Sequence, residues 1–488
     1  DEFIITGADI DGALVGGDAD GKNEFYLLIN GSTPIGLRSV GFLNIASAGG
    51  DDRITLDPWA DNTVGGWGIA VTVDGGTGND NLFYGNIERN TTAQPGITLV
   101  DNTPDGSRTG VSESLVLAPT TVGGAGQLRS TNATDSSNIV TIDFTTLEDV
   151  SFFFNDSVSG EHDTLRVLGT TGADSVTTNL DTRAIDDATN AAPIVITSTN
   201  HGLANGASVR IFGVQGNSAA NGVFTVANVT ANTFELVGSA GNAAYTASAT
   251  DFWQLADPTF ADLKSGATQL IQIANVYHAT PVTGAVPNLA APADVAFALG
   301  SGADTITVSG RNDAGVTLNI DGGTGAGGSD TIALTGTQDD SDSYEVTPGA
   351  SGDAGVITRQ LAGAVAATTI NFTNTEAIDI NGGGGTGADL VTLNGNGANN
   401  AFTVTGTASL PAGSARVDAG PTISFTNLGV NGGTNVSDIV LNGQGGSDTF
   451  AVTYATAWQI DDVTINGSTP ANAPGDALSL DLAEATGN

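Results

Sequence analysis

One motif recurs along this chain and constrains its fold more than any other feature. It is a short alternating run ending in Asn or Asp, a glycine-rich turn, an Asp, and a second alternating run. It reads VTVDGGTGNDNLF at 71–83, LNIDGGTGAGGSDTIAL at 318–334, IDINGGGGTGADLVTL at 378–393 and VNGGTNVSDIVL at 430–441. Shorter copies are AGGDDRITL at 48–56, GTTGADSV at 169–176, GSGADTITV at 300–308 and NGQGGSDTFAV at 442–452, and INGSTPANAPGDALSL at 465–480 is a stretched one. In DTITV or DTIAL, alternate residues point to opposite faces, so Ile306 and Val308, or Ile332 and Leu334, face a core while threonines face out. The glycines supply corners that β-branched residues cannot occupy, and the Asp can accept hydrogen bonds from backbone N–H groups freed there.

A second element precedes several of these turns: IDFTTLEDVSF at 142–152, INFTNTEAIDI at 370–380 and ISFTNLGVNG at 423–432. Repetition of supersecondary units with variable loops implies stacking around a shared core. The expected fold is all-β: an elongated parallel β-solenoid-like body with a small inserted β-barrel or sandwich module. A string of β-sandwich domains is the alternative. The expected divisions are 1–186 and 296–488 as β-repeat regions, 187–255 as the inserted module and 256–295 as a connector holding the run TQLIQIANVY.

Composition supports this reading. Gly 68 in 488 residues is well above ordinary usage, yet 39% hydrophobic content is too high for a disordered chain. The net charge of −40 reflects the scarcity of cations, Lys+Arg 13 against Asp+Glu 53. Such a surface cannot neutralise a run of phosphates or an anionic membrane, so neither nucleic acid nor membrane is an expected partner. Cys 0 removes disulfides and thiol chemistry together, and Met 0 leaves no initiator. A secreted, processed product or a piece of a longer chain is the expectation, and no stretch reaches the ~18 apolar residues of a membrane span.

The Gly-Gly-x-Gly-x-Asp-x-aliphatic turns resemble the calcium-binding nonapeptides of repeats-in-toxin proteins. The looser unit with its FTN-x-E-x-I-x-I-N-G-G lead-in resembles repeats of very large bacterial surface proteins of planctomycete type. The toxin resemblance implies calcium at the turns, with Asp80, Asp304, Asp330, Asp389, Asp438 and Asp448 as candidate ligands. Backbone capping by the same carboxylates is the alternative, because the motifs here are single copies rather than tandem nonapeptides.

Residues 187–255 break the pattern. Tight turns at Asn205-Gly206 and Asn221-Gly222 separate the runs VRIFGV, VFTVANV and TFELVG. The string resembles a small β-module of phage-tail and bacterial surface proteins, sometimes classed with a half-domain of ubiquitin-activating enzymes. Without a cysteine, no thioester chemistry is implied, and His201 reads as structural.

Chemistry-bearing constellations are sparse. Three histidines at 162, 201 and 278 are scattered, and no nucleophile elbow, phosphate loop or zincin helix occurs. Arg311, Arg359 and Arg416 are isolated in sequence. Asp339-Asp340-Ser341-Asp342 reads as a solvated acidic loop, and Trp59 and Trp67 as rung-end or core residues. The expected function is therefore structural, not enzymatic: a subunit or segment of an extracellular cell-surface filament, surface layer or stalk. Its expected partner is itself, as a homopolymer, or neighbouring domains of a longer chain. An adhesin that binds surface glycans is the alternative, and a β-helix polysaccharide lyase or hydrolase a third.

Overall fold

The computed structural model describes residues 2–7, 25–30, 35–37, 40–57, 70–85, 113–132, 139–155, 164–247, 251–256, 259–279, 294–313, 315–324, 328–338, 341–385, 387–429, 438–460, 462–468 and 475–482. The fold is all-β, with large and mostly parallel sheets. The chain divides into two compact units, one of Asp1–Thr170 with Thr182–Val295 and one of Thr171–Asp181 with Ala296–Asn488. Among the described residues no helix is long and apolar enough to cross a membrane.

In the first unit, strands Glu2–Gly7, Arg53–Asp57, Asn81–Gly85, Asp149–Asn155 and Thr268–Ala279 pair in parallel. Facing positions stay in register, Ile54 beside Leu82 and Leu82 beside Val150, and all three side chains are fully buried. A second ladder pairs Phe42–Ala46, Ala70–Asp74 and Ile139–Thr145 in parallel.

The second unit repeats this scheme at greater length. Asp174–Asn179, Thr305–Ser309, Thr331–Thr335, Ala377–Asn381 and Thr422–Thr426 form one parallel ladder. Another runs through Ser343–Pro348, Leu390–Asn394, Asp438–Asn442 and Asp462–Asn466. The burial pattern of Thr305–Ser309, Thr317–Asp321 and Thr331–Thr335 is strictly alternating, with Ile306, Val308, Leu318, Ile320, Ile332 and Leu334 inside. A parallel strand pair requires a crossover between its members, and here the crossover passes through the other ladder by way of a corner.

Three hairpins interrupt the parallel ladders, and they are built alike. Gly126–Asn132, Gly355–Gln360 and Gly413–Val417 each run antiparallel to strands on both sides. In each, the first glycine faces a buried phenylalanine: Gly126 opposite Phe144, Gly355 opposite Phe372 and Gly413 opposite Phe425. A Cβ at these glycines would come within 2.7, 2.8 and 2.7 Å of the Phe Cζ atoms. The missing side chain thus makes the seat for the ring. Each Phe begins an F-T-x corner, and the third residue of all three, Thr146, Asn374 and Asn427, is left-handed at φ 53, 51 and 50°. Asn tolerates that region better than most residues, so the element reads FTN twice and FTT once.

Residues between Arg183 and Leu255 form a separate seven-stranded antiparallel sheet. Its core gathers Ile194, Ile196, Val209, Ile211, Phe234 and Trp253 among others. Asn221 clamps the loop beside its turn, its side chain accepting from the N–H of Val214 at 2.9 Å and donating to the Val214 carbonyl at 3.0 Å.

Candidate functional site

The corner Asp residues form the most regular polar arrangement in the chain. In the first unit the N–H of Asp52 donates to Oδ1 of Asp80 at 2.9 Å, and the N–H of Asp80 donates to Oε2 of Glu148 at 2.9 Å. In the second unit Asp174 donates to Oδ1 of Asp304 (2.6 Å), Asp304 to Oδ1 of Asp330 (2.9 Å) and Asp330 to Oε2 of Glu376 (2.7 Å). Asp342 donates likewise to Asp389 at 3.0 Å, Asn400 to Asp448 at 2.8 Å and Asp448 to Asp476 at 2.9 Å. The return bond is a backbone one. The first N–H of the following strand donates to the carbonyl of the earlier corner residue, as Thr331 does to Asp304, Thr449 to Asn400 and Ala477 to Asp448. Each corner is thereby clipped to the next by a backbone bond and a charge-assisted one.

The glycine that opens the turn belongs to the same device. A Cβ on Gly75 would lie 2.8 Å from Asp80 Oδ2, and one on Gly322 would lie 2.8 Å from Asp330 Oδ2. At Gly382, Gly443 and Gly467 it would strike the carboxylates of Asp389, Asp448 and Asp476. None of these five has a φ in the left-handed region, so the requirement is for room rather than conformation. The carbonyl of the F-T-x corner residue closes the same space at Gly75, Gly322 and Gly382, contributed by Thr146, Asn374 and Asn427.

Of the six candidate ligands, Asp80, Asp304, Asp330, Asp389 and Asp448 all take part in these clips, and all are buried. Asp438 takes part differently: half exposed, it opens a strand between Leu390 and Asp462, and its N–H makes the return bond to the Asp389 carbonyl at 2.9 Å. Sequence reasoning missed the donors Asp52, Asp174, Asp342 and Asn400. It also missed Glu148 and Glu376, which do the work of Asp where the tight F-T-x turn replaces the glycine loop. The E of FTN-x-E was the visible signal.

A calcium ion needs six to eight oxygens at 2.3–2.6 Å. Part of the corner carboxylates' capacity is already taken: one oxygen of each accepts an N–H, at Asp389 the second also accepts the Gly429 N–H at 2.9 Å, and the second oxygen packs on the opening glycine at Asp80, Asp330, Asp389 and Asp448. Among the described residues no group of three or more His, Asp or Glu side chains converges to hold a metal ion. Trp59, Trp67, Asp339 and Asp340 lie outside the described residues.

Among the described residues, Oδ2 of Asp80, Asp304 and Asp448 is buried with no hydrogen-bond partner. Desolvation raises the carboxyl pKa of Asp80, Asp330 and Asp448, and pushes Asp304 and Asp389 up to about 6, outweighing the N–H bonds that act the other way. Nearby Asp174 and Asp330 add to the rise at Asp304. A carboxyl whose folded pKa exceeds its unfolded value holds a proton in the folded state that the unfolded chain releases. Stability therefore increases as pH falls from about 6 toward 4, and the destabilisation is complete above about 6. The thermal midpoint of the second unit is expected to be higher at pH 5.5 than at pH 7.5 by roughly 2–4 °C. Asp304→Asn keeps an acceptor for Asp174 and removes the ionisation, so it is expected to raise the midpoint at pH 7.5 and flatten the profile. An unchanged profile in scanning calorimetry would count against a buried, proton-holding corner.

His201 opposes this trend in the seven-stranded antiparallel sheet. It is 3% exposed, its ring set edge-on to Phe234 and Trp253 with centroids 5.1 and 6.3 Å away. Nδ1 accepts the N–H of Leu203 at 3.1 Å and Nε2 lies 3.3 Å from the Thr233 carbonyl, which suits the neutral tautomer protonated on Nε2. Burial lowers its pKa, so the histidine is structural there and loses stability as pH falls through its unfolded value.

The last described rung differs from those before it. Leu478 and Leu480 stand in register with Phe450 and Val452, which in turn stand on Phe402 and Val404. Those four are at most 2% exposed, whereas Leu478 is 60% and Leu480 53% exposed. Compared with protein-family models and with curated protein sequences, the chain has no match.

Proposed function

We propose that this chain is a structural extracellular protein without catalytic activity: a subunit or segment of a cell-surface filament, surface layer or stalk. In this reading its stacked rungs are a β-solenoid that joins to others through open β-edges. The clip between successive corners carries the reading, because the clipped rungs offer one another the same N–H and carboxylate. A strand edge with an apolar inner face is a template for another strand, and soluble proteins ordinarily cover it. The same clip, repeated from corner to corner, supplies a way of extending the stack without new chemistry. Few lysines and no cysteines accord with an exported surface that neither binds polyanions nor depends on redox state.

With a net charge of −40, copies repel one another at low ionic strength, so association is to be sought near 0.15 M salt, where screening acts within ~8 Å. Negative-stain electron microscopy under those conditions is expected to show filaments or sheets. They should persist under chelator, since the corner carboxylates are committed to N–H groups. Dispersed particles at all protein concentrations would overturn the structural reading, and dissolution on chelation would overturn the capping role of the corners.

A further inference from the structure

Asparagine followed by glycine is the pair at which a chain most readily attacks itself, because glycine leaves its own nitrogen unshielded and its backbone free to turn. Seven such pairs lie among the described residues, at Asn205, Asn221, Asn381, Asn394, Asn396, Asn442 and Asn466. The fold protects six of them. The N–H of Gly206 donates to the Val226 carbonyl at 2.8 Å, that of Gly382 to Thr426 at 3.0 Å, that of Gly395 to Asn442 at 2.7 Å and that of Gly443 to Asn466 at 2.8 Å. The amides of Asn221 and Asn466 are turned to neighbouring segments, donating to the Val214 carbonyl at 3.0 Å and to Asn442 Oδ1 at 2.8 Å. Asn396 differs on each count. It is exposed, as is Gly397, whose φ is 80° and whose N–H has no partner among the described residues. Its side-chain Oδ1 accepts two bonds, from the Ala398 N–H and from Asn400 Nδ2, both at 3.1 Å. The first folds the Asn396 amide over the Gly397 peptide. The second comes from a side chain that is 3% exposed and is itself fixed by the Asp418 carboxylate at 2.6 Å.

We infer that Asn396 is a self-modification site, at which the Gly397 nitrogen displaces the side-chain amide and thereby loosens the clip between Asn400 and Asp448. The bond from Gly397 N to Asn396 Cγ forms, the Cγ–Nδ2 bond breaks, and the Gly397 proton leaves with the amide group as ammonia. Water then opens the five-membered imide at either carbonyl. One opening leaves aspartate; the other leaves isoaspartate, with the main chain rerouted through the former side chain. The two donors on Oδ1 stabilise the negative charge that develops there as the nitrogen adds, as an oxyanion hole does. Either product places a carboxylate on the Asn400 amide that Asp418 already uses. Isoaspartate also lengthens by one methylene a loop that has no slack. Within it the Asn400 N–H is clipped to Asp448 at 2.8 Å and Asn399 Oδ1 takes the Ser447 N–H at 2.8 Å. A Cβ on Gly446 would lie 2.5 Å from the Ala398 carbonyl oxygen, so the facing rung cannot give way to the extra atom. The inference is independent of the assembly proposed above.

Ageing the folded 488-residue protein in mildly alkaline buffer, followed by chymotryptic digestion and mass spectrometry, tests this. The peptide NGNGANNAF, cut after Leu393 and Phe402, carries Asn394 and Asn396 together, and fragmentation tells them apart. Conversion of amide to acid at Asn396 is expected to run at least about tenfold faster than at the other six pairs, less than one well-placed donor supplies in an enzyme's oxyanion hole. In the chain unfolded by urea all seven pairs should convert at similar rates, because the hydrogen bonds that separate them are gone. Asn396→Gln, one methylene too long for the five-membered ring, should remove the fast phase. Labelling by an isoaspartate methyltransferase should rise with it, and the melting midpoint of the second unit should fall with the converted fraction. An Asn396 that persists in the folded chain, or that leads the other pairs equally when unfolded, overturns the inference. A fully converted protein that melts like the fresh one overturns the loosening of the clip.

Discussion

Gly322→Ala is expected to destabilise the second unit by at least about 3 kcal/mol, enough to lower its denaturation midpoint far outside the range of ordinary surface substitutions. The added methyl would lie 2.7 Å from Asp330 Cβ and 2.8 Å from Asp330 Oδ2, with the Asn374 carbonyl closing the third side. None of these atoms is the end of a flexible chain. Asp330 Oδ1 is held by the Asp304 N–H and the Asp330 N–H by Glu376, so the carboxylate cannot swing aside without breaking the clip between rungs. Gly41→Ala is the matched control, since a Cβ there meets nothing within 4 Å and its φ is not left-handed. Urea denaturation of the two variants separates them: equal midpoints would show that the opening glycine serves only chain flexibility.

Arg359→Ala is expected to cost about 3–5 kcal/mol, the range for removing one partner from a buried ionic network. Arg359 is 1% exposed near the end of the hairpin strand Gly355–Gln360, opposite Tyr344. Its guanidinium donates to the Gly310 carbonyl at 3.0 Å and to the Thr335 carbonyl, tying two corners of the stack to the hairpin. Asp342, equally buried, takes the N–H groups of Thr337 and Ala362 at 2.6 and 2.8 Å and offsets part of the guanidinium's charge. Burial lowers the Arg359 pKa and raises that of the Tyr344 phenol, so both groups sit where water does not relieve them. Truncation leaves two carbonyls and a carboxylate without their cation. Arg359→Met should cost less, because it fills the volume, and equal losses for Met and Ala would show that the cation and its hydrogen bonds rather than packing dominate the site. Arg359→Lys is not conservative here: one ammonium cannot span both carbonyls in the planar geometry of the guanidinium.

Much of the all-β fold was legible in the alternating runs. Ile306, Val308, Ile332 and Leu334 fall inside as their spacing requires, because in a strand side-chain direction follows from residue parity alone. The corner Asp residues were legible as candidates for either metal binding or capping. The choice between them depends on where the neighbouring rung's N–H points, which no local pattern states: Asp174 and Asp304 are 130 residues apart in the chain yet 2.6 Å apart in the clip.

Arg359 shows the same limit from the other side. Isolated in sequence, it becomes a buried cation because the hairpin fold sets it between Gly310 and Thr335. The three glycine–phenylalanine seats were hidden as well, since Gly126, Gly355 and Gly413 look like any turn glycine until the antiparallel register puts a ring opposite each. What the sequence determined by itself was the local part: alternation, corner positions and the left-handed Asn of FTN, all governed by φ, ψ and side-chain parity within a few residues. Tertiary structure alone decided which carboxylate caps which N–H and which cation is buried, because those depend on stacking distant segments about 4.8 Å apart in a single register.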